Sequence, residues 1–97
     1  NELHEAEERM RNLAHMDSKG RIADLLLKLQ EQFGNNESGY LQIILSRQDM
    51  AAYAGTTYET VFRALQEMQE AGWIKTNGKQ VGILQVAALQ KLAKVQL

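Results

Sequence analysis

The stretch Ser46-Arg47-Gln48-Asp49-Met50-Ala51-Ala52-Tyr53-Ala54-Gly55-Thr56-Thr57-Tyr58-Glu59-Thr60-Val61-Phe62-Arg63-Ala64-Leu65 decides the fold. It holds two helix-start signals in close succession. Ser46 followed by Asp49 is a capping-box pattern, in which hydroxyl and carboxylate each serve the other's backbone N–H. The helix it opens is short, ending near Ala54 with Gly55 behind it. Thr56-Thr57-Tyr58-Glu59 repeats the signal at once, with Thr56 or Thr57 as the cap. The spacing then predicts a longer helix over 57–71, with Val61, Ala64, Leu65 and Met68 as its inner face and Gly72 as its stop. Two helices joined by a short glycine-containing turn form a helix-turn-helix. Small residues at Ala51, Ala52, Ala54 and Gly55 let the pair approach closely.

Beyond this core, Trp73-Ile74-Lys75-Thr76 and Gln80-Val81-Gly82-Ile83-Leu84 flank Asn77-Gly78, a strong hairpin signal. A hairpin after a helix-turn-helix makes a winged helix. A final helix is expected over 86–95, with Leu89 and Leu92 among its apolar residues. Ahead of the core, Asp17 or Ser18 can cap a helix reaching Phe33, with Ile22, Leu25, Leu26, Leu29 and Phe33 as its buried face. Gly34 ends it, 35–39 is a polar loop, and the apolar run 40–45 is expected to be a short strand. In residues 1–16, Leu3, Ala6, Met10 and Leu13 recur at spacings of three, four and three, the pattern of a coiled-coil seam. Two heptads are marginal alone. They suit the end of a longer dimerisation helix, or else an amphipathic arm packed on its own domain. The expected architecture is mainly α with a small β-hairpin wing: a winged helix-turn-helix with a three-helix core over 17–97, preceded by a dimerisation-helix remnant over 1–16.

At 97 residues and 11.0 kDa the chain is one small domain with a short extension. Its 44% hydrophobic and 24% charged residues are ordinary globular values. With no cysteine, disulfides, thiolate metal sites and cysteine nucleophiles are excluded within these residues, which fits a reducing, cytoplasmic setting. His4 and His15 are three helical turns apart and cannot share a metal within one chain; no metal site and no cofactor is expected. Met10, Met16, Met50 and Met68 read as core or seam fillers, and Trp73 as a core residue at the helix-to-strand junction. No apolar run approaches the roughly 18 residues of a membrane span, no basic-then-apolar leader opens the chain, and Asn1 in place of Met points to a piece of a longer protein. No nucleophile–base pair, metal cluster or glycine-rich phosphate loop supports an enzyme. The formal charge of −1 conceals an asymmetry: residues 1–46 carry five Lys/Arg against eight Asp/Glu, residues 47–97 six against four, balances of −3 and +2. The half with the helix-turn-helix is the basic one.

The quoted stretch resembles the DNA-binding domain of the Crp-Fnr family of bacterial transcription regulators. Gly72-Trp73-Ile74, Asn77-Gly78-Lys79 and Gly20-Arg21-Ile22-Ala23 agree with it, and residues 1–16 are similar to the end of that family's long dimerisation helix. The resemblance implies sequence-specific binding of double-stranded DNA as a homodimer in the cytoplasm, with RNA polymerase as a further partner and no membrane. It also implies an N-terminal sensor β-barrel, absent from these residues, that would carry the effector site.

Glu59 and Arg63 are four apart and share one helix face. An arginine can donate a bidentate pair to guanine O6 and N7, and a carboxylate can accept from cytosine N4–H. In the family the matching residues read G·C pairs of a half-site. From the residues alone, Glu59 can equally be a capping-box carboxylate and the pair a surface ion pair. Ser46, Arg47, Gln48, Thr57 and Thr60 are candidate phosphate contacts, as the resemblance also implies, although Ser46 and Thr57 can be caps and nothing more. Lys79, just past the hairpin tip, can reach a flanking phosphate or stand solvated. Tyr58 and Phe62 depart from the family pattern, which has arginine in some members and a small or apolar residue in others at the first position, and commonly glycine or serine at the second. Facing the groove, Phe62 can touch a thymine methyl; with the helix rotated it joins the core. The competing function is a winged helix that contacts proteins and not DNA.

Overall fold

The computed structural model describes residues 17–93; the seam residues Leu3, Ala6, Met10 and Leu13, with His4, His15 and Met16, lie outside them. The order is α1 (Ser18–Phe33), α2 (Arg47–Ala54), α3 (Tyr58–Glu70), β1 (Ile74–Asn77), β2 (Gln80–Ile83) and α4 (Val86–Ala93).

Of the two possible caps for α1, Asp17 acts: in extended backbone, its carboxylate accepts the Gly20 N–H at 2.7 Å. Ile22, Ala23, Leu25, Leu26 and Leu29 then line a buried stripe, against which α2, α3 and α4 pack. Full burial of side chains such as Ile22 and Leu26 stabilises the fold by about 1.5–3 kcal/mol each. Phe33, expected on that stripe, is 46% exposed instead, because the last turn of α1 runs past the edge of the core. Met50 and Ala54 of α2, Val61 and Met68 of α3, Ile74 of β1 and Leu89 of α4 complete the interior, with Trp73 packed against it at the junction expected for it. Ala51 and Ala54 face the core, whereas Ala52 is exposed and takes no part in the close approach of α2 and α3.

Two local expectations are corrected. The run 40–45 is not a strand: it makes one bridge, Asn35 to Leu41, and one bond to the wing, from Leu41 N–H to the Val81 carbonyl at 2.8 Å. The bridge is closed by Asn36 N–H to Tyr40 O (2.7 Å) and Gln42 N–H to Gly34 O (2.9 Å), and among the described residues no backbone bond from 43–45 carries it further. On its turn side the Asn36 side chain accepts the N–H groups of Ser38 (2.9 Å) and Tyr40 (3.0 Å), so the pairing gives way to a side-chain-held turn. The hairpin, for its part, turns one residue later than Asn77-Gly78. Asn77 pairs with Gln80, so the two loop residues are Gly78 and Lys79. Gly78 has φ 61° while among the described residues none other than glycine, Lys79 included, has positive φ, the pattern of a type II′ turn, in which glycine takes the first central position. Lys79 therefore sits at the tip, not just past it.

Candidate nucleic-acid interface

The helix-turn-helix is braced from α1. At the end of α2, Gly55 N–H bonds to Ala52 O (3.3 Å) and Thr56 N–H to Ala51 O (2.9 Å), the paired bonds of a Schellman stop. Arg21 Nη1 donates to the Ala54 carbonyl at 2.9 Å, placing a cation on the negative end of α2. Lys28 bonds to Asp24 at 2.9 Å and reaches the Tyr53 hydroxyl of α2 at 3.4 Å. The hydrogen bond to Asp24, then that to Tyr53, holds the Lys28 ammonium above its ordinary pKa. Lys19 forms an ion pair with Glu67 of α3. Both helices of the motif are thus tied to one support.

Thr57 is the cap of α3: its Oγ1 accepts the Thr60 N–H at 3.2 Å, and the two hydroxyls lie 3.0 Å apart. This settles what Glu59 does at the helix start. With Thr57 as cap, the residue opposite it is Thr60, and Glu59 sits one position too early to close a capping box. Among the described residues, Glu59 and Arg63 form neither an ion pair nor a hydrogen bond, with each other or with anything else; both are exposed. The inner face of α3 is Val61, Ala64, Leu65 and Met68, as expected, so Glu59 and Arg63 point directly away from the core.

The flanks of α3 are told apart by their contacts. Glu67 leans toward α1 through Lys19, whereas Gln69 accepts from Thr76 Oγ1 of the wing at 2.9 Å. Phe62 lies on the wing flank with Gln69, in a hollow also bounded by Arg47, Gln66 and Gly78. Tyr58 joins it in the adjoining hollow beside Ser46, Gln48 and Lys79. Phe62 is 55% and Tyr58 51% exposed, which excludes the rotated-helix alternative that would bury Phe62.

Ser46 caps α2 through Asp49 N–H at 3.0 Å. The reciprocal half of the predicted box is not made, because the Asp49 carboxylate has no hydrogen bond among the described residues. Ser46 Oγ keeps its own proton available, and so does one member of the Thr57–Thr60 pair, since two hydroxyl protons serve one bond. Gln48 is exposed beside them. Arg47 is committed elsewhere: its guanidinium donates to the turn carbonyls of Gly78 (3.1 Å) and Lys79 (3.3 Å), joining α2 to the wing tip. The Lys79 side chain is exposed, and its ammonium has no partner among the described residues. The surface so assembled presents Arg63 and Lys79 with the N-terminal ends of α2 and α3, whose partial positive charges add to the two side chains.

One residue of this surface and one of its support escaped the sequence reading. Gln66 is exposed one turn beyond Phe62 and lines the same hollow; an i,i+4 search from Phe62 would have found it. Arg21 stands 33 residues from the carbonyl it grips, and no local pattern links them.

A family model described as a Crp-like helix-turn-helix domain matches residues 20–92. The chain is 35% identical over 85 residues to the CRP-like cAMP-activated global transcriptional regulator of Mycobacterium tuberculosis, covering 86% of this chain and 38% of that protein. It is 30% identical over 93 residues to the transcriptional regulator SdrP of Thermus thermophilus, covering 95% of this chain and 46% of the relative. Among solved structures, FixK2 from Bradyrhizobium japonicum superposes with a TM-score of 0.75 at 29% identity, over 99% of this chain and 48% of that one. A transcriptional regulator of the CRP/FNR family from Thermus thermophilus gives 0.73 at 30% identity, over 94% and 47% respectively. The chain thus spans less than half the length of these relatives.

Proposed function

The chain belongs to the Crp-Fnr family of transcription regulators, and on that premise we propose that α3 enters the major groove of a palindromic operator and reads it through Glu59 and Arg63. Arg63 donates to guanine O6 and N7, and Glu59 accepts from cytosine N4–H. Tyr58 and Phe62 meet base edges on the wing side. Ser46, Thr57, Thr60 and Gln48 bind phosphates, Lys79 grips a flanking phosphate from the wing tip, and Arg47 takes part at the backbone through the turn it holds. Two copies, joined along Leu3, Ala6, Met10 and Leu13, meet half-sites about one helical turn, 34–36 Å, apart. The protein acts in the cytoplasm, with RNA polymerase as its further partner and no membrane association.

One observation carries this reading: a glutamate and an arginine one turn apart, both pointing away from the core and neither occupied among the described residues. The test is titration of the chain against a randomised duplex pool at several salt concentrations. An enriched motif containing a G·C pair, with affinity falling steeply as salt rises, is the expected result. No motif and no salt slope would leave the protein-contact alternative in its place.

A further inference from the structure

Resting on that reading, we infer that Phe62, with Tyr58 beside it, is a specificity-determining residue that reads a thymine by its C5-methyl group next to the pair read by Arg63. The two aromatics stand four apart on α3 and share its wing flank. Each is more than half exposed, although large apolar side chains gain by leaving water. Polar groups surround them: Ser46, Gln48 and Lys79 on one side, Gln66 and Gln69 on the other. Of the two cations that line the hollow, Arg47 is spent on the carbonyls of Gly78 and Lys79, which leaves Lys79 at the wing tip for a phosphate.

An apolar centre inside a polar ring calls for an apolar feature on the ligand. The major-groove edges of the four bases offer one, the thymine methyl; guanine, cytosine and adenine present only donors and acceptors. Phe62 precedes Arg63, so its ring meets the duplex within a base pair or so of the guanidinium's target. The same surface could instead receive an apolar protein segment, and the experiment separates the two.

The 97-residue chain is titrated by fluorescence anisotropy against its selected duplex and against copies in which each thymine is replaced, singly, by deoxyuridine. Deoxyuridine keeps every hydrogen-bonding group and lacks only the methyl. At one half-site position, adjacent to the pair whose choice Arg63→Ala relaxes, the replacement weakens wild-type binding roughly three- to fivefold, the factor that burial of one methyl group supplies. Phe62→Ala binds the thymine and deoxyuridine duplexes equally, with an unchanged melting temperature because its side chain is outside the core. Phe62→Leu, which keeps an apolar group, retains part of the preference. A selected duplex indifferent to deoxyuridine everywhere, or a preference that survives Phe62→Ala, overturns the inference while leaving DNA reading by Arg63 in place. Failure of the pool to yield any duplex overturns both.

Discussion

A glutamate and an arginine at i and i+4 on an exposed helix ordinarily close on each other, for a gain of about 0.2–0.5 kcal/mol. Here Glu59 and Arg63 stay apart, so a base edge can engage either without breaking an existing bond. Arg63→Ala is therefore expected to cost about 1–3 kcal/mol of DNA affinity and to relax choice at one base pair, whereas Lys79→Ala weakens all sequences alike and lowers the salt slope by about one. Binding-site selection with each variant checks this; exchanged outcomes would reverse the two roles. Residue types and their spacing made Glu59, Arg63 and the caps legible in the sequence. The use of Arg47 was not, because its partners lie 31 and 32 residues away across a turn whose register only the fold sets.

At the scale of elements, capping and hydrophobic spacing foretold the four helices and the hairpin of the described residues. What failed was the run 40–45, where apolar content suggested a strand but pairing stops at the single bridge of Leu41, with the Tyr40 N–H taken by the Asn36 side chain. That loop nevertheless leans hard on the wing. A Cβ at Gly82 would fall onto the Gly39 carbonyl oxygen and crowd the Lys75 side chain, itself bound to Ser38 O at 2.6 Å. Gly82→Ala is expected to destabilise the domain by about 1–3 kcal/mol, the usual range for overpacking, as measured by urea unfolding; an unchanged midpoint would mean that the loop is not held there. The tie between α1 and α2 carries a pH signature. Because the folded state raises the Lys28 pKa, its contribution is present below the unfolded value near 10.5 and is lost as pH rises through the raised value. The small stability difference between the wild type and Lys28→Met is expected to shrink over that alkaline range, and a difference that grows would contradict the assignment.

At the scale of the whole molecule, the wing, the two N-terminal helix ends and the outer face of α3 form one surface on one support, and α1 with α4 forms the back of the domain. Residues 1–16 lie outside the described residues and are proposed as the route to a second copy. Deletion of residues 1–12 is expected to reduce dimerisation in sedimentation and to leave the monomer's melting temperature nearly unchanged; a large drop in melting temperature at monomeric concentrations would show the arm packed on its own domain. The role proposed for Arg63 is to meet a guanine in the major groove. Its most direct test compares the wild type with Arg63→Ala on the selected duplex carrying 7-deazaguanine at each guanine in turn, which removes the N7 acceptor and keeps O6. The wild type should lose affinity at one guanine per half-site while Arg63→Ala is insensitive there. Equal losses by both proteins, or no loss at any guanine, would contradict the account.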